Sequence, residues 1–136
     1  MASSSSYEFV VNTDLDFEAA ESRTRELLQG EGFGVLTEID VQATLKAKLG
    51  VEFRPYKILG ACNPQLAHHA LEVEPAIGLL LPCNVVIEEI PSGQVRVRFV
   101  EPRSALSLAA DPAVQPIAED ASERLHRVAE RLGQGA

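Results

Sequence analysis

Between Val114 and Leu132 the apolar residues recur at helical spacing, and this stretch constrains the fold more than any other part of the chain. Val114, Ile117, Ala118, Ala121, Leu125, Val128, Ala129 and Leu132 form one stripe, as a turn of 3.6 residues requires. Nineteen residues of helix span about 28 Å. Pro116 is compatible with it because it falls in the first turn, where its missing N–H has no partner to lose. A helix of this length with a single apolar stripe must lie on another layer of structure.

The upstream sequence supplies that layer. Tyr7-Glu8-Phe9-Val10-Val11 is β-branched and aromatic and reads as a first strand. Asp16 is placed to cap a helix over about residues 17–29, with Phe17, Ala20, Thr24, Leu27 and Leu28 near one face. Thr24 is the polar member of that face, and its hydroxyl is in reach of the Ala20 carbonyl one turn back. Gly30 is positioned to end the helix, since glycine takes a positive φ without penalty. A second strand follows over residues 32–39, then a short helix capped by Asp40 and closed by Gly50. Phe53 to Cys62 reads as a third strand, with Pro55 suggesting an edge or a bulge. Asn63-Pro64 is a helix start, the asparagine capping and the proline at the first position, and that helix runs to about Val73. Residues 83–89 and 94–100 flank Pro91-Ser92-Gly93 as a hairpin, and Val95, Val97 and Phe99 alternate with Arg96 and Arg98, one face buried and one wet. The order β-α-β-(α)-β-(α)-β-β-α predicts an α+β domain, an antiparallel sheet with helices packed on one face.

With 136 residues one domain is expected, over residues 7–136, behind a flexible tail of residues 1–6. Aromatic residues are 5% of the chain and tryptophan is absent, so the core must rest on Leu, Val, Ile and Ala. A net charge of −8 argues against nucleic acid as a partner, because phosphate neutralisation supplies the affinity in that class. The start lacks the basic and apolar regions of a secretory signal, and no apolar run reaches the ~20 residues of a membrane span. A cytoplasmic protein with no membrane partner is the expectation.

Chemistry is most plausible around two cysteines, each followed by asparagine. Cys62 ends a strand just before a helix start, so its sulfur would lie near the positive end of the helix macrodipole, which favours the thiolate. If its strand and that of Cys83 are antiparallel neighbours, the two thiols share one end of the sheet. His68 lies about one turn into the following helix. Cys62, Cys83 and His68 are therefore candidate metal ligands, a Cys₂His set with an open fourth position. The same three are candidate catalytic residues, with Cys62 as nucleophile or redox thiol, Cys83 resolving and His68 as base. His69 projects about 100° away on that helix and would not share the site. Asn63 and Asn84 would line a small polar pocket beside the thiols. The structural alternatives are equally definite: two thiols packed as small hydrophobes, a helix cap and a turn.

A second constellation is Thr37, Glu38, Asp40, Lys46, Glu52 and Tyr56, suited to acid–base work if buried together. More simply, Asp40 caps a helix and Lys46 and Glu52 are solvated. The glycine-rich Gly30-Glu31-Gly32-Phe33-Gly34 runs from helix to strand, the reverse of a dinucleotide-binding turn.

The segments Gly32-Phe33-Gly34-Val35-Leu36-Thr37-Glu38-Ile39-Asp40, Leu45-Lys46, Tyr56-Lys57-Ile58-Leu59-Gly60-Ala61-Cys62-Asn63-Pro64 and Gly78-Leu79-Leu80-Leu81-Pro82-Cys83-Asn84-Val85 resemble the DUF302 family of domains of unknown function. The likeness extends over roughly residues 7–132. The resemblance implies a β-α-β4-α fold similar to the TATA-box-binding-protein type, with the short helices as insertions, usually assembled as a homodimer. It implies no activity and no named cofactor. The functional expectation is a homodimeric binding module for a small ligand or metal, with its pocket at Cys62, Asn63, His68, Cys83 and Asn84. The alternatives are a thiol-dependent enzyme and an interaction protein whose cysteines only pack.

Overall fold

The computed structural model describes residues 7–134, so the tail expected over residues 1–6 lies outside the described residues. Five strands, β1 (Glu8–Thr13), β2 (Gly34–Asp40), β3 (Tyr56–Cys62), β4 (Cys83–Glu89) and β5 (Val95–Val100), form one sheet in the order β1-β5-β4-β3-β2. Every neighbouring pair is antiparallel. Five helices connect or follow them: α1 (Phe17–Gly30), α2 (Val41–Leu49), α3 (Pro64–Val73), the single turn α4 (Pro102–Ala105) and α5 (Val114–Gly133). With the short helices set aside the order is β-α-β4-α, the α+β architecture expected.

Period-two alternation divides the sheet into an inner and an outer face. Val95, Val97 and Phe99 of β5, Val85 and Ile87 of β4 and Leu59 and Ala61 of β3 point inward and are buried. They pack beneath Leu27 and Leu28 of α1 and Leu125, Val128 and Leu132 of α5. Each such side chain removed from water stabilises the fold by about 1.5–3 kcal/mol. A second apolar cluster lies past the end of the sheet, where Ala70 of α3 meets Ile77, Leu106 and the first turns of α5 at Val114, Ile117 and Ala118. Ile77 and Leu106 belong to 3₁₀ turns, Pro75–Leu80 and Leu106–Leu108. These turns and α4 go unread in the sequence because so few residues establish no period.

Local signals translate directly. Asp16, Asp40 and Asn63 accept hydrogen bonds from Ala19, Ala43 and Leu66 at 2.8, 2.9 and 3.2 Å, caps worth about 1 kcal/mol each. Thr24 Oγ1 donates to the Ala20 carbonyl at 2.7 Å. Two local expectations need correction. Gly30 remains helical, and Gly32, at φ 85°, takes the left-handed conformation instead. Pro55 precedes β3 rather than lying within it, and β3 is an interior strand, so the proline marks neither an edge nor a bulge there. The bulge lies in β2, where the register shifts between Val35 and Thr37 and leaves Leu36 exposed.

Gly60 is required by close approach. It stands opposite Thr37 on β2 and Asn84 on β4. A Cβ there would collide with Thr37 Oγ1 and sit 2.9 Å from Pro82 Cγ. Gly60→Ala should therefore cost about 1–3 kcal/mol by overpacking, measured as a lowered urea midpoint. Gly30→Ala, with nothing within 4 Å of the new methyl, should be neutral or stabilising by up to about 1 kcal/mol. A Gly60→Ala midpoint equal to wild type would show that the strands yield at this point.

Candidate functional site

Cys62 is the last residue of β3 and Cys83 the first of β4. The register pairs Cys83 with Ala61, so Cys62 projects one residue beyond it, where the chain turns into α3. Both border a narrow cleft of about 30 Å³, walled by Phe33, Leu66, Ala70, Leu81 and Ile117. It follows the seam between the two apolar clusters, and Leu66 packs against both. Burial raises the Cys62 thiol above its ordinary pKa. Burial, reinforced by the neighbouring Cys62, pushes Cys83 up to about 11. The expected thiolate at the helix start is thus corrected: burial raises both thiols, so Cys62 and Cys83 are neutral at pH 7.

His68 does not join them. Its side chain is 75% exposed and lies 3.7 Å from Glu72 Oε2 on the same helix. The reason is rotational: α3 turns Ala70 inward, and a residue two positions earlier faces about 200° away. Among the described residues no three His, Cys, Asp or Glu side chains are gathered to hold a metal ion, so Cys62, Cys83 and His68 do not form a Cys₂His set. Asn63 is buried and caps α3, its amide close against Gly32. Asn84, one residue past Cys83, falls on the outer face of the sheet and lines a different cavity.

The second constellation is dispersed. Thr37 packs over Gly60, and Asp40 caps α2. Lys46 pairs with Glu52 at the surface. Glu38 is bonded to Arg25 and lies 3.4 Å from Lys57. A Ser–Glu–His cluster does exist, with Ser122 Oγ donating to Glu101 Oε2 at 2.6 Å and His126 Nε2 2.8 Å from Oε1. The carboxylate stands between hydroxyl and imidazole, so the histidine is not placed to take the serine proton. The cluster ties the start of α4 to α5.

Tyr56 of the second constellation lines a groove of about 420 Å³ across the outer face of the sheet. Val86 and Val100 form its floor, with Tyr7 and Glu8 at one side and Arg54 and Tyr56 at the other. Glu88, only 3% exposed, accepts from Arg98 Nε at 2.6 Å and Arg54 Nε at 2.8 Å. Arg98 Nη1 also donates to Glu8 at 3.0 Å. The Arg54 guanidinium lies 4.4 Å from the Phe53 ring centroid and 5.7 Å from that of Tyr56. Burial alone would raise the Glu88 carboxyl; the hydrogen bonds and charges of Arg98 and Arg54 hold it below its ordinary range instead. In sequence Arg98 is one of two charges on a wet strand face and Glu88 one of several acidic residues. Their meeting needed the register of three strands, and no motif announces it.

Comparison with known proteins follows from this geometry. The family described as a domain of unknown function, DUF302, matches residues 9–132. The chain belongs to the DUF302 family. It is similar to an uncharacterised conserved DUF302 protein from Bacillus stearothermophilus, known from a crystal structure, with 31% identity and a TM-score of 0.86. The match covers 94% of this chain and 99% of that one. No curated protein matches. The family is of unknown function and this relative is uncharacterised, so the likeness carries the fold.

The thiols provide a direct check. With iodoacetamide at pH 8, Cys62 should label before Cys83, and both more slowly than a free thiol. Cys83 labelling should keep accelerating as the pH rises towards about 11. Peptide mass spectrometry reads both rates. A plateau for either thiol below pH 8 would mean an activated cysteine.

Proposed function

We propose that this DUF302 domain is a homodimeric module that binds a small molecule in the groove on the outer face of its sheet. The observation that carries this is the groove itself. Its volume of about 420 Å³ falls within the range of about 300–1,000 Å³ typical of ligand pockets. It is built on strands, with two arginines held by one buried carboxylate. The cleft beside Cys62 and Cys83, at about 30 Å³, has room for one or two water-sized occupants. In this assignment the binding pocket belongs to the face that carries Asn84, and the thiols pack the seam as small hydrophobes. A nucleophilic or redox role for Cys62, Cys83 and His68 is disfavoured by the raised thiol pKa values and by an imidazole exposed on α3 beside Glu72.

Asn84→Trp changes an exposed residue lining the groove and should leave the fold intact by circular dichroism. In a thermal-shift screen of metabolite-sized compounds, those that stabilise the wild type should fail to stabilise Asn84→Trp. Compounds that stabilise both equally, or the absence of any stabilising compound, would count against the groove.

Dimerisation is supported by the β2–α2 arm. Strand β2 is an edge of the sheet, and α2 buries none of its residues. Leu36, Ile39, Leu49 and Val51 are all exposed along this one stretch. Exposed apolar side chains beside an open strand edge suit association, and a second copy brings the same edge about a two-fold axis. Sedimentation equilibrium at micromolar concentration should give twice the 14.7 kDa chain mass, and Leu36→Lys should shift it towards monomer. A wild-type monomer overturns the dimer.

A further inference from the structure

We propose that the ligand of the outer-face groove is a small organic monoanion, a carboxylate on a flat apolar body, gripped by Arg54 and Arg98. This rests on the assignment of the groove as the ligand site and adds the chemical class.

The donors are unevenly used. Arg54 gives Nε to Glu88, and Arg98 gives Nε to Glu88 and Nη1 to Glu8. Both Nη atoms of Arg54 and Nη2 of Arg98 make no hydrogen bond among the described residues, nor do the hydroxyls of Tyr7 and Tyr56 or the Asn84 amide. The groove is therefore rich in donors, while its two carboxylates are already engaged. A carboxylate meets a guanidinium edge with charge-assisted, directional hydrogen bonds. Glu88 is the positioning residue. It holds the two side chains, 44% and 31% exposed, in one arrangement before any ligand arrives, which reduces the ordering cost of binding.

Charge limits the ligand to a single negative group. Arg54 and Arg98 are balanced by Glu8 and Glu88, so one carboxylate is held by directed hydrogen bonds from the free Nη atoms, and a second negative group would find no further cation to meet it. The rest of the ligand follows from the floor and walls. Val86 and Val100 offer an apolar bed, and Tyr7 and Tyr56 offer aromatic rings at opposite sides. A flat or branched apolar body fills that space better than a second polar group.

The test is an NMR titration of the ¹⁵N-labelled full chain with benzoate, its neutral isostere benzamide, and inorganic phosphate. Benzoate should shift the amides of Asn84, Val86 and Arg98 and saturate, with benzamide and phosphate each weaker by about tenfold or more. Arg54→Lys keeps a cation beside Glu88 while removing the two free Nη donors, and should weaken benzoate by about tenfold while leaving the spectrum otherwise native. Benzamide or phosphate binding as tightly as benzoate at these amides would overturn the anion class or the apolar body and leave the groove as a ligand site. Shifts confined to the Cys62–Cys83 cleft, no shift with any probe, or dilution-dependent shifts across the outer face would overturn the groove itself, the last by giving that face to a second copy.

Discussion

The long amphipathic helix α5 pressed against the inner face of the sheet is the contact on which the rest of the molecule depends. Its stripe from Val114 to Leu132 is buried along nearly its whole length. The strands answer it with Val97, Phe99, Val85 and Leu59, all without solvent exposure. Because α1 shares this inner face, both long helices are spent on one side of the sheet. The outer face is left to charged side chains and tyrosines standing over valines. The same helix is longer than the sheet needs, and its first turns run past the strand ends to gather α3 and the 3₁₀ turns into the second apolar cluster.

That division of labour places both cavities. The seam where the two clusters meet is the Cys62–Cys83 cleft, narrow and apolar because it is a joint between packed layers. Thiols suit such a joint, being small and tolerant of burial when neutral. On the outer face charged side chains stand over the sheet and satisfy one another. Glu88 shows the balance of forces: burial opposes its charge, and two guanidinium hydrogen bonds outweigh the burial. A buried carboxylate that loses such partners is costly, so the three side chains are tied to one another.

Much of the fold was legible in the residues because it is governed by local rules. Asp16, Asp40 and Asn63 act as caps through hydrogen bonds spanning three residues. Thr24 bonds one turn back, and β5 alternates between core and solvent as its sequence does. Where a rule depends on a neighbour further away, expectation and structure part. Gly30 was a reasonable helix terminator, yet the left-handed position falls at Gly32, whose backbone lies against Asn63 from a separate element. The cysteine at a helix start looked activated by the macrodipole alone, a short-range argument blind to the apolar walls that raise its pKa. His68 is close in sequence to Cys62 and Asn63, but the turn of α3 that buries Ala70 directs it into solvent.

The sequence by itself determined the order of the strands and of the four longer helices, the caps and the inward stripe of α5, since each depends on residues within about two turns or one strand. Only the tertiary structure decided which side chains meet. Register paired Ala61 rather than Cys62 with Cys83 and put Asn84 on the opposite face. It also brought Arg54, 34 residues away, to the same carboxylate as Arg98. The physical reason is range: backbone periodicity is written in neighbouring residues, whereas a groove on a sheet is assembled from strands whose alignment is set by the burial of everything beneath them.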